Sequence, residues 1–270
     1  MKNQSRVGLI VEGNSTNSAI LRLPQLSECF GPIKSTLPRV ARRLSNLLRA
    51  GYAVTSYEEL QSSRLILVRV PDDAVPRVIE EICISDLDLN GISLVLCETW
   101  LTTDSLAPLV SRGAFIATLL GVPRFRRQFF ILEGDVTPVR QMRRLIEQSD
   151  ARALAVRPGT KSLFFAAELL TTALPVPFLA AAQEALRLAG VSGNPMHALV
   201  EEMSLKMFRD FSKGSRGAWG GPLNACSREL SEAHLSAVYG AYPELAAFLD
   251  EHLASARRSP RFGVQLKQPL

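Results

Sequence analysis

The sequence has few of the residue types that usually carry metal-dependent or nucleophilic chemistry. Its three histidines, His197, His234 and His252, lie far apart in the chain and have no partner at metal-ligand spacing. No serine nucleophile elbow and no H-E-x-x-H motif occurs. The four cysteines are scattered without a C-x-x-C pair, which predicts free buried thiols and no disulfide framework or metal site.

Long apolar runs are also missing. No stretch of about eighteen consecutive apolar residues occurs, so we expect no transmembrane helix and no membrane partner. Residues 1–4 lead straight into an apolar strand, which leaves no room for a signal peptide. The 270 residues, 47% apolar and 21% charged, are enough for one large or two ordinary globular domains. We therefore expect a cytoplasmic protein.

The most informative stretch reads RVGLIVEGNSTNSA, close to the amino terminus. An apolar, β-branched run of the length of a buried strand is followed by a glycine turn and then by a helix start. Free N–H groups and the helix dipole meet at such a turn, which makes it an anion site of the kind that opens a dinucleotide-binding unit. The residues predicted to hold phosphate are Gly13, Asn14, Ser15 and Thr16.

The glycine fingerprint is incomplete. The pattern G-x-G-x-x-G calls for three small residues, and here Val11 and Thr16 occupy the first and third positions. Gly13 keeps the middle position, which lets the backbone approach a pyrophosphate. The alternative interpretation is an ordinary buried strand followed by a turn.

Strand and helix patterns alternate over the first part of the chain and then give way to helices alone. The alternation predicts an α/β fold with a mostly parallel, Rossmann-like sheet and helices on both faces. We expect the first helix to run from about Ser15 into Leu26, disturbed by Pro24. The predicted division is a nucleotide-binding domain at 1–157, an all-α domain at 158–258 and a flexible tail at 259–270.

The order of these motifs resembles the Rossmann-like proteins that carry a helical carboxyl-terminal domain of unknown function, family 2520. These are relatives of the NADP reductase, pyrroline-carboxylate reductase and β-hydroxyacid dehydrogenase superfamily. The segments that carry the resemblance are LILVRVPDDA at 65–74, Thr103–Leu106, Glu133–Asp135, Lys161 with its apolar helix, and Gly221-Pro222. The resemblance implies a nucleotide-binding domain joined to a helical dimerisation domain, and therefore a homodimer.

The sequence departs from this family where the family carries polar groups. Cys97–Trp100 replaces a small segment containing histidine or serine, and Leu120-Gly121 replaces His-Pro. Phe164-Phe165 replaces Tyr-His, Thr172-Ala173 replaces Ser-Asn, and Ala225–Ser227 replaces Arg-Gly-Asp. Most groups that could handle a proton have therefore become apolar or different.

Two residues are candidates for a proton role. Lys161 begins an apolar helix at the predicted domain boundary, and the resemblance implies a lysine donor near this point. Apolar surroundings lower the pKa of a lysine. Glu98 follows a strand at the edge where open α/β sheets bind ligands. The alternatives are a solvent-exposed lysine at a helix start and an ordinary loop carboxylate.

The region after the second strand indicates which dinucleotide would bind. NAD-binding proteins place an acid about twenty residues after the glycine turn, and this chain has none there. Lys34 and Ser35 would suit a 2′-phosphate, so NADP is favoured over NAD. We expect Pro71 and Asp72 to lie near the nicotinamide ribose. Glu12 would disfavour the pyrophosphate unless it points away.

Three functions remain open at this point. The first is a homodimeric NADP-dependent oxidoreductase that acts on a small metabolite near Lys161. The second is a non-catalytic descendant that binds a nucleotide or metabolite as a sensor or scaffold. The third, nucleic-acid binding through arginine clusters such as Arg140–Arg144, is disfavoured because helical clusters of this kind are usually solvated faces.

Overall fold

A sheet of short apolar strands forms the first part of the structure. The computed structural model describes residues 7–13, 18–122, 128–213 and 226–258. Within these ranges the strands are β1 (Val7–Val11), β2 (Phe30–Lys34), β3 (Tyr52–Val54), β4 (Leu65–Arg69), β5 (Ser93–Cys97), β6 (Phe115–Val122), β7 (Phe129–Gly134) and β8 (Arg152–Ala155). Strands β1, β2 and β5 are buried along their whole length, as expected for strands covered on both faces.

The described strands follow the order β3-β2-β1-β4-β5-β6-β7-β8 in one sheet. All neighbouring pairs are parallel except β6 and β7, which are antiparallel. The order reverses beside β1, where the chain crosses from β3 to β4. This topology confirms the predicted α/β, mostly parallel Rossmann-like sheet.

Helices cover both faces of the sheet. They are α1 (Pro24–Ser27), α2 (Pro38–Leu48), α3 (Val75–Ile84), α4 (Ala107–Val110) and α5 (Val136–Glu147). One buried cluster joins β1, α2 and α5 through residues such as Leu9, Leu44 and Met142. The other joins β4, α3 and α4 through residues such as Val68, Ile79 and Leu109. The sheet therefore has two apolar layers, as a doubly wound fold requires.

The first predicted helix is not continuous. In its described part, Ile20–Arg22 forms a 3-10 turn, Leu23 is extended at φ −70° and ψ 119°, and α1 is a single turn. Pro24 is the cause, because a proline disfavours the helical region for the residue before it and lacks an N–H. Residues 14–17 of the prediction lie outside the described residues.

The Glu133-Gly134-Asp135 segment joins β7 to α5. Gly134 has φ +139°, and a Cβ there would lie 2.5 Å from Ala117 Cα on β6. Asp135 donates its N–H to Ile116 O and accepts the Ile116 N–H at Oδ2, both at 2.8 Å. The glycine is therefore required by the close approach of β6, and the aspartate fastens this approach.

The chain divides into two compact units, Met1–Ala166 and Ala167–Leu270. The helices of its carboxyl-terminal part are α6 (Lys161–Thr172), α7 (Pro175–Leu188), α8 (Asn194–Ser212), α9 (Arg228–Ala241) and α10 (Pro243–Arg258). No strand occurs in the described residues after β8, which confirms the predicted helical part. The predicted boundary at 157 and the tail at 259–270 stay predictions, and the tail lies outside the described residues.

These helices carry many large apolar side chains that are exposed. The most exposed are Leu163, Leu170, Val176, Phe165 and Phe211. The helical run Lys161–Leu188 is long and apolar enough to cross a membrane by length and composition alone, and none of its most apolar window is buried. A turn at Ala173 and Leu174 separates α6 from α7 within that run. The absence of a membrane partner therefore stays a prediction.

Candidate functional site

The ends of four strands meet at one edge of the sheet. Gly13 follows β1, Lys34 ends β2, Asp72 follows β4, and Glu98 follows β5. Parallel strands place their carboxyl ends on the same edge, so the predicted residues of these segments come together. Asn14, Ser15 and Thr16 lie outside the described residues, and their predicted contact with phosphate stays a prediction.

Gly13 and Pro71 are neighbours at this edge. Gly13 has φ +66°, in the left-handed region that favours glycine. A Cβ at Gly13 would lie 3.5 Å from the Cγ of Pro71. The Glu12 N–H donates to Arg69 O at 3.2 Å, which holds the start of this turn against the end of β4. Two predicted cofactor-binding residues therefore lie side by side.

The side chains of Lys34 and Ser35 are buried. Lys34 Nζ donates to Ser35 O at 3.2 Å and lies 4.9 Å from the ring centroid of Tyr57. Ser35 Oγ accepts the N–H of Leu37 at 3.4 Å. The lysine lies at the end of β2 as predicted, but its ammonium rests on the Tyr57 ring.

Arg77 is an exposed cation at the same corner, and the sequence analysis missed it. It lies in the first turn of α3, its guanidinium pairs with Glu12, and Glu12 also accepts a hydrogen bond from Thr36 Oγ1. The other guanidinium nitrogen bonds Glu81 at 2.5 Å. A feature of the sequence could have identified Arg77. It follows the Pro71-Asp72 turn at the amino-terminal end of a helix, and that helix comes directly after a core strand.

Tyr57 and Glu81 complete this polar group. Tyr57 Oη donates to Glu81 Oε2 at 2.7 Å. Burial and the Glu81 carboxylate raise the pKa of Tyr57. Burial alone would raise the pKa of Glu81, but the hydrogen bonds from Tyr57 and Arg77 lower it. The hydrogen bonds of this group tie the ends of β1, β2 and β3 to α3.

Glu98 is fully engaged by neighbouring groups. It has φ +56°, which is unusual for a residue with a side chain. Its Oε2 accepts from Arg69 Nε at 2.8 Å. Its Oε1 accepts from Ser18 Oγ at 2.9 Å, from Ile20 N at 3.3 Å and from Ala19 N. The carboxylate thus links the segment after the Gly13 turn to the ends of β4 and β5.

Lys161 is buried, with 2% of its surface exposed. Its Nζ donates to Thr99 O at 2.7 Å, to Leu101 O at 2.6 Å and to Thr118 Oγ1 at 3.1 Å. Desolvation lowers the pKa of Lys161 to about 8, and the charges of Glu133 and Asp72 oppose this shift. The lysine therefore lies beside the segment after β5, close to its ionisation point at neutral pH.

Aromatic rings join the same two segments. The ring of Trp100 stacks on Phe164 with centroids 6.0 Å apart and meets Phe165 edge-on at 5.2 Å. Trp100, Phe164 and Phe165 thus form an aromatic cluster that joins the segment after β5 to the first turns of α6.

A cavity of about 540 Å³ lies between α3 and α4. Its wall is apolar at Val75, Ile79 and Leu101, and acidic at Asp72 and Asp104. Asp72 Oδ1 accepts from Thr99 Oγ1 at 2.7 Å. Asp72 and Leu101 therefore line this cavity, while Thr99 and Leu101 supply carbonyl groups to Lys161.

The histidines and cysteines of the described residues form no cluster that could bind a metal ion. His252 Nδ1 is bonded to Phe248 O at 2.8 Å, and His197 Nδ1 to Gln183 at 3.2 Å. Among the described residues, no group of three or more histidine, cysteine or acidic residues could hold a metal ion. The four cysteines are free, and burial raises the pKa of Cys97.

Comparison with solved structures gives strong likeness in fold. The chain is similar to a proposed NADP oxidoreductase from Bacteroides fragilis, with 16% identity, 93% of this chain and 97% of that chain covered, and a TM-score of 0.72. It is similar to a reductive aminase from Aspergillus terreus in complex with NADPH and ethyl-5-oxohexanoate, with 14% identity, 97% of both chains covered and a TM-score of 0.60. A pyrroline-5-carboxylate reductase from Coxiella burnetii matches at 13% identity over 97% of this chain and 99% of that chain, with a TM-score of 0.55.

The sequence itself matches less widely. No protein-family model matches the chain, and no curated protein matches it significantly in sequence. The predicted membership of family 2520 therefore stays a prediction. The three solved structures are covered along nearly their whole length, so the chain shares their overall fold.

Proposed function

We propose that the chain is an NADP-dependent oxidoreductase that acts on a small carbonyl or imine metabolite. The observation that carries the proposal is the meeting of the ends of β1, β2, β4 and β5 at one edge of a sheet whose strand order reverses beside β1. Open α/β sheets bind ligands at this position. The solved structures of similar fold include a reductive aminase in complex with NADPH, which supports the same choice of cofactor.

The residues at this edge fit a dinucleotide phosphate. Gly13 has no side chain at the point where backbone would meet a pyrophosphate, and Asn14, Ser15 and Thr16 follow it with hydroxyl and amide donors. Lys34, Ser35 and Arg77 supply the cations and the hydroxyl that a 2′-phosphate requires. In the proposed complex Arg77 exchanges its Glu12 carboxylate for the phosphate. Pro71 and Asp72 lie near the nicotinamide ribose.

Lys161 is the proposed proton donor. The cofactor, when bound, supplies the hydride, so the protein must orient the substrate and provide a proton. A pKa of about 8 suits this role, because an acid works best when its pKa lies near the working pH. The proton would come from Lys161 Nζ. To reach the substrate, Nζ would give up its hydrogen bond to the Leu101 carbonyl, on the side where Asp72 and Leu101 line the cavity. Glu98 acts in this proposal by holding the segment after β5 in place.

A second function is favoured by one specific observation. Glu98 and Lys161, the two predicted acid-base residues, each use their polar atoms in internal hydrogen bonds. A protein that kept the fold but lost turnover would show such structural use of its former catalytic positions. The second candidate is therefore a non-catalytic nucleotide or metabolite sensor.

We also propose that the chain forms a homodimer through its helical part. Leu163, Leu170, Val176 and Phe211 are each more than half exposed in the single chain. Large exposed apolar side chains in this number favour an interaction surface on the helical part. A second copy is the partner that the family resemblance implies.

A thermal-shift titration with NADPH, NADP, NADH and AMP tests the proposal. A ligand that binds only the native state raises the melting temperature by mass action. At a ligand concentration of a hundred times the Kd, the free energy of unfolding rises by about 2.7 kcal/mol. Stabilisation by NADPH well above NADH supports the reductase, and a screen of carbonyl and imine substrates for NADPH oxidation then follows. Stabilisation by AMP alone, or binding without turnover on any substrate class, favours the sensor. No shift with any nucleotide rejects the NADP-dependent reductase and leaves the non-catalytic sensor or scaffold as the remaining candidate.

A further inference from the structure

Glu133 is a buried carboxylate that the proposed function does not use. It lies on β7 and has no exposed surface. Its Oε1 accepts the N–H of Gly159 at 2.7 Å. Its Oε2 is buried and has no hydrogen-bond partner among the described residues. An unpaired carboxylate oxygen in the interior is costly unless its charge interacts with an opposite charge.

Two structural routes connect Glu133 to Lys161. The first is the chain itself, because the Gly159 N–H held by Glu133 belongs to the turn that immediately precedes α6 and Lys161. The second crosses the sheet, where Thr118 on β6 is directly paired with Glu133 on β7. Thr118 Oγ1 accepts from Lys161 Nζ. Both routes place the carboxylate and the ammonium on one side of the β6–β7 pair.

We propose that Glu133 is a positioning residue for Lys161: it fixes the turn that delivers the lysine and keeps the buried ammonium charged. The proposal rests on the role of Lys161 in the proposed function. It assigns a task to the Glu133-Gly134-Asp135 segment, in which Gly134 and Asp135 bring β7 against β6 and Glu133 uses that approach to face the lysine.

The charges around Lys161 agree with this role. The titratable groups that act on it are Glu133 from β7 and Asp72 from the segment before α3, and both favour the ammonium. β6 contributes the neutral Thr118, and the segment after β5 contributes two carbonyl oxygens. Glu98 of that segment is paired with Arg69. Removal of the Glu133 charge leaves desolvation opposed by Asp72 alone.

The test is a direct titration of Lys161 in the full-length protein. The chain has only six lysines, so the spectrum of a protein labelled with ¹³C-lysine is simple. NMR then follows the Cε signals of the lysines between about pH 6 and pH 11, a range that spans the ordinary lysine pKa. The signal of Lys161 is assigned from its loss in Lys161→Met. Glu133→Gln keeps an oxygen for Gly159 and removes only the charge. We expect the pKa of Lys161 to fall by about one unit or more.

Matched variants separate charge from structure. Glu147→Gln removes an exposed carboxylate from α5 and should leave the pKa of Lys161 unchanged. If Glu133→Gln does not fold, Glu133→Asp carries the test, because its shorter side chain draws the carboxylate away from Gly159 and Lys161. A lowered pKa of Lys161 in Glu133→Asp then supports the proposal, and an unchanged pKa overturns it. An unchanged pKa in folded Glu133→Gln overturns the proposal.

The titration distinguishes this inference from the proposed function, because it requires neither cofactor nor turnover. If a substrate is found, the kcat-pH profile of Glu133→Gln should fall off at lower pH than the wild-type profile, while the Kd of NADPH stays unchanged. A lowered Lys161 pKa without any shift in the kcat profile would remove Lys161, and with it the positioning role, from the reaction.

Discussion

The indole of Trp100 stacks on the ring of Phe164 at a centroid distance of 6.0 Å. Trp100 follows β5 and Phe164 lies in the first turn of α6, so the contact joins two segments far apart in sequence. Lys161, three residues before Phe164, bonds the carbonyl groups on either side of Trp100. An ammonium and an aromatic ring from one helical turn therefore hold the same segment.

Trp100→Ala should destabilise the protein by about 1–3 kcal/mol, because a half-buried aromatic pair and its packed surface are lost. Trp100→Phe should restore at least half of this loss, because a ring remains to contact Phe164. Urea unfolding monitored by circular dichroism measures both free energies. Equal destabilisation by alanine and phenylalanine would show that ring contact is not the stabilising feature.

Arg77→Gln should weaken NADPH binding about tenfold or more and change NADH binding little, because only NADPH carries the phosphate that the guanidinium would bind. Lys34→Glu should also weaken NADPH more than NADH. Isothermal titration calorimetry of the wild type and of each variant with both cofactors gives the Kd values. Arg43→Gln is the matched control, since it removes an exposed arginine from α2, and an effect equal to that of Arg77→Gln would reject specific recognition.

Glu98→Gln should destabilise the fold by about 1–3 kcal/mol, because Arg69 loses its charged partner and three donors lose a carboxylate acceptor. Arg69→Met alone should also destabilise. The double variant should lose less than the sum of the two single variants, which a double-mutant cycle measures. Additive losses would mean that the two side chains act independently.

Stability should respond to Lys161 above neutral pH. The folded-state pKa of about 8 lies below the ordinary lysine value, so between the two values the unfolded chain binds more protons than the native one. Stability therefore rises with pH in this window, and below pH 8 the group contributes no slope. Urea unfolding gives the free energy of unfolding of the wild type and of Lys161→Met at each pH. The difference between the two free energies should grow from pH 8 to pH 10. Lys206→Met, on the exposed face of α8, should leave the slope of the wild type unaltered.

Light scattering should give the mass of two chains at micromolar concentration. The physical reason is the exposed apolar surface of α6, α7 and α8, which water disfavours. Leu170→Glu combined with Val176→Glu should shift the mass to one chain, whereas Leu47→Glu on α2 of the sheet unit should not. A monomeric wild type would contradict the proposed dimer.

The sequence was most informative where apolar runs are long. The apolar run near the amino terminus predicted a core strand, and β1 forms there, because a strand buried on both faces must be apolar throughout. The first helix was predicted to run from about Ser15 into Leu26 with a disturbance at Pro24. In its described part the helical geometry breaks at Leu23, the residue before that proline.

Side-chain direction set the limit of the prediction at the candidate site. The positions of Lys34 and Glu98 at strand ends were correctly located, because strand ends follow from the apolar pattern. The pattern does not show that Lys34 turns onto Tyr57 or that Glu98 binds Arg69, since both contacts join distant segments. Arg77 was missed for the same reason: its partner Glu12 follows β1, a strand distant from Arg77 in the sequence.

The left-handed backbone of Glu98 limits which substitutions this position can accept. At φ +56° a β-branched residue is strongly disfavoured, whereas glycine and asparagine adopt this conformation most readily. Glycine would relieve the strain but would leave Arg69 and the Ser18–Ile20 segment without their shared acceptor. Two independent constraints therefore limit substitution at this position. The backbone geometry disfavours most side chains, and the residues that fit the backbone lack a carboxylate for Arg69.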